Sequence, residues 1–449
     1  MNKHTAAVSR RGFLIGMAGT TLAVNAAPAD EPAVRHKPQT VQDREIKTDV
    51  LVVGGGTAGT IAAIQAGRLG ARTVLVEAGS QLGGTMTTGG VERPGLFFAW
   101  GKQVVAGIGW ELVRKAVELQ GDSLPDFRES TGAAMIGHAA FHVPIPGGLY
   151  AALAEEACLQ AGVQLRYYET PLAIEPCEDG WTIQTGGKGV RARILCRQLI
   201  DCTGNASVVG LAGFARLREE KRQPGSIVFT LSKPVKFRGW TGGGWKHGLG
   251  YKHERYVPGA DVSTSESHTE ANVQGREAFL KAFRQIKEQP EGKNVKLLYL
   301  QPETASRETY RIVGECLVSR EDYATGRVFE DAVACMYYPI DLHTEAGVKP
   351  QHLPEGTVVT IPLGALVPKD SRNLLVAGRS VSSDRLANSG LRVQASCMAM
   401  GQAAGAAAAL AVKTNTSPGR LSPADLRRVL GEQGAIVPSV NTARNDSGA

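Results

Sequence analysis

The segment Asp49-Val50-Leu51-Val52-Val53-Gly54-Gly55-Gly56-Thr57-Ala58-Gly59 constrains this chain more than any other. Asp49–Val53 is a near-continuous apolar run of the kind buried in a parallel sheet. From about Thr57 to Leu69, the residues Ala58, Ile61, Ala62, Ala66 and Leu69 fall on one helical face, and Thr73–Val76 is a second buried strand. Strand, tight turn, helix and strand in so short a stretch make a βαβ unit. Its turn fits G-x-G-x-x-G: Gly54 permits the tight turn, Gly56 lets backbone approach a pyrophosphate, and Gly59 allows the helix to pack closely on the strand. The helix start at Thr57 and Ala58 offers free N–H groups and a positive dipole end to phosphates. Glu77 closes the second strand 21 residues after Gly56, where an acid accepts hydrogen bonds from a ribose diol. A purely structural glycine turn needs no acid in that register. The pattern is a dinucleotide site, and NAD and FAD both bind in this way.

The first thirty or so residues stand apart from the fold. Ser9-Arg10-Arg11-Gly12-Phe13-Leu14 has the order of a twin-arginine export signal, followed by an apolar stretch from Phe13 to Val24. That stretch is shorter than the roughly 20 residues of a bilayer span and suits a signal h-region. Cleavage after Ala26 or Ala29 would release the mature chain, so residues 1–29 are expected to be a signal peptide and 30–46, with Pro32, Pro38 and mixed charge, a linker. Twin-arginine export machinery carries folded proteins, which suits a cofactor inserted before export to the periplasm or exterior. The net charge of +7 includes Lys3, Arg10 and Arg11 of this leader; without them it is +4, weak support for a nucleic-acid partner.

Seven cysteines at 158, 177, 196, 202, 316, 335 and 397 show no C-x-x-C or other short pairing. That argues against a disulfide framework, a metal site, an iron–sulfur cluster, C-x-x-C-H haem or a redox-active disulfide. Helices are expected at Gln103–Gln120 and Gly148–Ala161, and short strands at Val163–Tyr168, Leu172–Glu175, Trp181–Gln184 and Val190–Ile200. Residues 210–365 show no sustained helical periodicity and are expected to be β-rich. Asn373–Ala377 is another buried strand, Arg392–Val412 an Ala-rich helix, and Ser422-Pro423 the cap and first residue of a final helix.

After Glu77 the chain continues Ala78-Gly79-Ser80-Gln81-Leu82-Gly83-Gly84-Thr85, with a glycine doublet foreign to the NAD fingerprint. Here it resembles the glutathione-reductase-like FAD superfamily and, within it, the group called FAD-dependent oxidoreductases. Further blocks carry the resemblance: Ile200-Asp201-Cys202-Thr203-Gly204-Asn205, Arg307–Gly314, Tyr338-Pro339-Ile340-Asp341-Leu342-His343, and Asn373–Arg379 running on to Met398–Gly405. It implies an α/β fold: a discontinuous Rossmann-type FAD-binding domain with a parallel sheet, over 47–205 and 366–415. A β-rich α+β substrate domain over 206–365 would be inserted in it, and a C-terminal helix and tail would occupy 416–449.

The resemblance further implies that Gly54, Gly56, Thr57, Ala58, Gly59, Glu77, Ala78, Gly83, Gly84, Thr85, Thr203 and Gly204 hold FAD. Pro171 would lie beside the adenine, Gly378 and Arg379 near the flavin. Many relatives carry an acid after that glycine, where this chain has Arg379. Leu391, Arg392 and Val393 would open the last large helix, whose N-terminal dipole would face the flavin and raise its electron affinity. A plain packing helix would show the same small-residue spacing.

On the substrate side the candidates are His343, Arg307, Arg311, Arg392 and Tyr338. A histidine suits the proton that accompanies hydride transfer, and arginines suit a carboxylate. A packed structural histidine and ion-paired arginines would explain the same residues. Ser389 is a further candidate, and His138 and His142 are expected in a surface loop, with a place facing the flavin, or a covalent link to it, as the alternative. No second G-x-G-x-x-G follows residue 90, so a separate NADPH domain is not expected and the electron donor or acceptor is external. The expected activity is an FAD-dependent oxidoreductase moving a hydride between a small organic substrate and flavin N5, in either direction. The rival is an exported flavin carrier or redox sensor without metabolite turnover.

Overall fold

The computed structural model describes residues 40–235 and 245–440, so the twin-arginine motif and its cleavage sites lie outside the described residues. The first strand, β1, runs Gln42–Val53, well before the apolar Asp49–Val53. It pairs in parallel with β2 (Thr73–Glu77) and, over its whole length, with the last strand of a later meander. β3 (Gln164–Tyr167) pairs in parallel with β2 at the far edge, whereas the meander itself is β4 (Thr170–Cys177), β5 (Gly180–Gly187) and β6 (Val190–Asp201). The linker expected over 30–46 therefore ends earlier. Gln42–Glu45 are exposed, so no apolar alternation announced a strand; backbone pairing and the cross-strand pairs Asp43–Arg191 (2.7 Å) and Glu45–Arg193 (3.3 Å) hold it.

Strand order in the main sheet is β3-β2-β1-β6-β5-β4. The first half of β6 has β5 as its antiparallel neighbour; its second half has β13 (Leu374–Val376), parallel, in the same position. The parallel strands β1, β2, β6 and β13 thus end side by side at Val53, Glu77, Asp201 and Val376. Val50 and Val52 face one core and Leu51 and Val53 the other, all at most 2% exposed.

One face is covered by α1 (Thr57–Arg68), α2 (Ile108–Gln120), α3 (Gly147–Gln160) and α6 (Gln394–Thr414). Gly401 and Gly405 let α6 ride on the α1 backbone: a Cβ at either would lie 2.2 Å from the Ala58 carbonyl or 2.3 Å from that of Ala62. Between the helices Gln402 accepts from the Ile108 N–H (3.1 Å) and donates to Gln65 (3.0 Å). α6 is long and apolar enough to cross a membrane, but 83% of its apolar window is buried in this core.

The helix expected over Arg392–Val412 is α6, which starts two residues later than expected and is preceded by a separate short helix. Asp384 caps α5 (Arg385–Leu391) by accepting from the Ala387 N–H, Val393 is extended (φ −70°, ψ 156°), and α6 starts at Gln394. α7 (Pro423–Glu432) begins as expected, with Ser422 accepting from the Asp425 N–H.

Residues 210–365 hold a second sheet, ordered β8-β9-β7-β10: β7 (Gly225–Leu231), β8 (Trp245–His247), β9 (Gly250–Val257) and β10 (Leu297–Leu300). An antiparallel pair, β11 (Ala332–Met336) with β12 (Val359–Pro362), follows. The α+β character expected here is carried by a helix that no periodicity announced: α4 (Ser265–Glu288) is 24 residues long and capped by Thr264. Its buried stripe is only Ala271, Gly275, Phe279, Ala282 and Ile286, set in a polar sequence, and it packs on Ile227 and Phe229. All seven cysteines are free thiols.

Candidate active site

The turn after β1 is shaped by contact. A Cβ on Gly59 would lie 1.8 Å from the Gly54 carbonyl oxygen, and one on Gly54, at φ +97°, 2.6 Å from that of Cys202. A Cβ on Gly56 meets nothing within 4 Å, so the turn leaves open space in front of the α1 N-terminus. The glycine doublet closes on this turn: the Gly83 N–H donates to the Gly55 carbonyl (2.8 Å) and the Thr57 hydroxyl to that of Gly83 (3.1 Å). Glu77 accepts from the N–H groups of Gly55 and Gly79, both 2.6 Å. Burial pushes its carboxyl up, only partly offset by those two donors.

At the end of β6 the buried Asp201 accepts from the Thr203 N–H (3.0 Å) and hydroxyl (2.7 Å) and the Val209 N–H (3.1 Å), fixing the Thr203-Gly204 turn. Gly378, at φ +101°, turns the chain after β13 and sends Arg379 across Gly204 to donate to Asn205 (2.9 Å). Burial lowers the Arg379 guanidinium to about 10; its Nε has no hydrogen-bond partner among the described residues.

These groups line one cavity of about 1110 Å³, above the roughly 300–1,000 Å³ of a small-molecule site. The same cavity is lined by Tyr338, Asp341, His343, Arg307 and Arg392. His343 sits between two partners, Nε2 3.0 Å from Asp341 Oδ2 and Nδ1 2.6 Å from the Tyr256 hydroxyl. Arg392 donates to the same Asp341 oxygen (3.2 Å) and to the Asp341 carbonyl (3.0 Å). Burial pushes the Asp341 carboxyl up, but the His343 hydrogen bond and the Arg392 charge outweigh it and leave it below its ordinary value. Burial pushes His343 down against the opposing bond to Asp341. Behind them the Gln223 side-chain oxygen accepts from the His343 backbone N–H (3.0 Å), and its side-chain NH2 donates to Glu308 (2.9 Å), itself paired with Arg385 (2.7 Å).

Most expected site residues meet here: Gly54, Gly56, Thr57, Ala58, Glu77, Ala78, Gly84, Thr85, Pro171, Thr203, Gly204, Gly378, Arg379, Arg392 and Val393 line the cavity. Gly59 and Gly83 stand behind it as packing glycines, and Leu391 is fully buried in the core. Arg311 is not in the cavity: it is buried and donates to Glu219 (2.7 Å) and to the Ser383 carbonyl (3.0 Å). Arg307 lines the cavity but is held by the Pro224 carbonyl (2.7 Å), Ser226 (2.9 Å) and Glu254 (3.3 Å). Ser389 accepts from the Asp341 N–H (3.0 Å). His138 and His142 leave the expected surface loop and line the cavity, because Tyr338 packs against both rings.

Asp341, Tyr256, Gln223 and Glu308 escaped the sequence reading. For Asp341 a signal existed, since the i, i+2 spacing with His343 puts both on one side of an extended segment. Tyr256 and Gln223 are brought in by tertiary folding alone.

The cradle fits FAD. It combines open space before Gly56, free N–H groups at the α1 start, a half-buried acid at Glu77 and a half-buried guanidinium at Arg379 with no carboxylate at ion-pair distance among the described residues. A model of the FAD dependent oxidoreductase family matches residues 49–262 and 251–430. Over 40 residues the chain is 62% identical to dihydrolipoyl dehydrogenase from Pseudomonas aeruginosa, a match covering 9% of this chain and 8% of that one. Among solved structures it is similar to the anhydrotetracycline hydroxylase OxyS from Streptomyces rimosus (13% identity, TM-score 0.46), over 86% of this chain and 66% of that one. It is also similar to a geranylgeranyl bacteriochlorophyll reductase-like protein from Thermoplasma acidophilum (12%, TM-score 0.44), over 87% and 84% of the two chains.

Proposed function

Because this chain belongs to the FAD dependent oxidoreductase family, we propose that it moves a hydride between a small organic substrate and flavin N5, with Asp341 and His343 handling the accompanying proton. The observation that carries this is a single cavity lined both by Gly56, Glu77 and Gly204 and by Asp341, His343 and Arg392. FAD held along the first group supplies a two-electron acceptor or donor. The rest falls to the chain's own side chains. His343 donates its Nε2–H to Asp341, which fixes one tautomer and leaves Nδ1 as the basic nitrogen. Burial keeps the ring neutral, the form a proton acceptor needs. In the dehydrogenation direction the substrate proton is taken up by His343, which lines the cavity and whose Nδ1 is oriented by the Tyr256 hydroxyl. The imidazolium so formed faces the Asp341 carboxylate, kept ionised and in place by Arg392.

The external electron partner is taken to be oxygen, a quinone or a carrier. Export is part of the same proposal: the Ser9–Leu14 motif supports twin-arginine delivery to the periplasm. Replacing Arg10 and Arg11 with lysine should hold the protein in the cytoplasmic fraction; undiminished periplasmic recovery would refute that.

The first test is the visible spectrum of the purified protein, followed by acid precipitation. Flavin bands with FAD in the supernatant are expected, then anaerobic bleaching by a metabolite. Bleaching by dyes but by no metabolite would favour the carrier; a colourless protein that takes up no FAD would overturn the reading.

A further inference from the structure

A second group of residues in the cavity has no part in the chemistry above. Arg93, His138, His142, Trp245 and Tyr338 all line it. Arg93 lies 5.6 Å over the Trp245 ring and donates one Nη to the Ala139 carbonyl (2.6 Å). Its Nε is buried with no hydrogen-bond partner among the described residues. The His142 and Tyr338 rings are near-parallel, with centroids 5.8 Å apart at 20°, and His138 meets Tyr338 edge-on at 5.3 Å.

The charge balance separates this recess from its neighbour. Arg392 and Arg307 are answered by Asp341 and Glu254. Arg93 is not: among the described residues no carboxylate lies at ion-pair distance, and the adjacent Glu92 is turned to Lys252 and His247. A half-buried guanidinium whose charge no carboxylate answers is costly unless an anion arrives to share it. Burial lowers its pKa from the ordinary value, the mark of that unmet cost. His142, pushed down to about 3 by burial, adds a flat neutral wall rather than a second charge.

Building on the reading of this cavity as the substrate chamber, we propose that the enzyme takes monoanionic substrates with a carboxylate on a flat, apolar body. The carboxylate is held by Arg93, and the body lies among Trp245, Tyr338 and His142. An arginine fork matches a carboxylate in two parallel hydrogen bonds, and aromatic walls favour a planar body over a bulky or strongly polar one.

The test is calorimetric titration of the FAD-loaded protein with benzoate and with benzamide, its neutral near-isostere. Benzoate should bind at least ten-fold more tightly. Arg93→Gln should remove that preference and Arg93→Lys should retain part of it, with the flavin spectrum unchanged in both. Equal affinities, no heat from either probe, or an Arg93→Gln variant that still prefers benzoate would overturn the proposal. The wild-type comparison stands even if a variant fails to fold. A yellow protein that does not discriminate defeats the substrate class alone, whereas a protein that takes up no FAD defeats the functional reading beneath it.

Discussion

Gly59 and Gly56 stand three residues apart at the start of α1, yet substitution at each should fail differently. In Gly59→Ala the new Cβ would lie 1.8 Å from the Gly54 carbonyl oxygen and 2.8 Å from the Cys202 Cβ, whereas ordinary contact begins at 3.4 Å. The helix must retreat by about 1.6 Å from a carbonyl held in the β1 turn, an overpacking cost of about 1–3 kcal/mol. Stability of the FAD-free protein should fall accordingly, with FAD affinity lost as the cradle opens. In Gly56→Ala the new Cβ meets nothing within 4 Å, and φ −68° with ψ −169° suits any residue. FAD-free stability should not change, but the methyl occupies the space reserved for the pyrophosphate. Affinity should drop by at least about ten-fold, or 1.4 kcal/mol. Denaturant unfolding of FAD-free protein and fluorescence titration with FAD read the two effects separately. Equal destabilisation by the two variants, or Gly56→Ala with wild-type FAD affinity, would refute this account of the turn.

His343→Gln should lower kcat by about 10²–10⁴-fold with FAD content unchanged, measured by steady-state turnover of any substrate found. Asp341→Asn removes the group that raises the His343 pKa, so the acid limb of kcat/KM against pH should move to lower pH. Burial holds His142 down to about 3 and His253 to about 4, so the folded state refuses protons that the unfolded chain accepts below about 6.5. Stability of the FAD-free protein should therefore fall by about 1.4 kcal/mol per histidine per pH unit as pH drops below 6.5, levelling off below those folded values; urea midpoints across pH 7 to 4 check it. Glu308→Ala breaks a pair whose carboxylate is almost wholly buried beside Arg385 and Gln223. It should cost about 3 kcal/mol and loosen His343, read as a lowered urea midpoint together with reduced kcat.

The nucleotide half of the cavity was legible because its chemistry is local. A strand, Gly54–Gly59 and Glu77 are read from one short stretch, whereas Gly83-Gly84, Thr203-Gly204 and Gly378 were reached through the family resemblance. The other half was not, because its partners are scattered. Tyr256 and Gln223 reach His343 from strands and loops about 90–120 residues away, and no spacing rule links them. Arg311 misled because an arginine in a matching block can serve an ion pair as well as a substrate. The missed α4 differs in kind. Its buried positions recur every three or four residues, a helical period, but five small or apolar residues among polar neighbours gave too weak a stripe. The strand at Gln42–Glu45 was invisible for the opposite reason, since its stability is in the backbone and its side chains face water.

The shared position beside β6 has a consequence for synthesis. Its second half, Leu199–Asp201, pairs with β1 on one side but finds its other parallel neighbour only in Leu374–Val376, and the helix start that completes the cavity wall comes later still, at Gln394. A ribosome that has delivered the G-x-G-x-x-G turn has therefore delivered a cradle with one wall missing. Nascent chains and early-terminated fragments would carry the fingerprint without the means to retain FAD. Cofactor loading thus becomes a mark of completed translation, and a transport route that accepts only folded cargo would pass over truncated copies without inspecting their length.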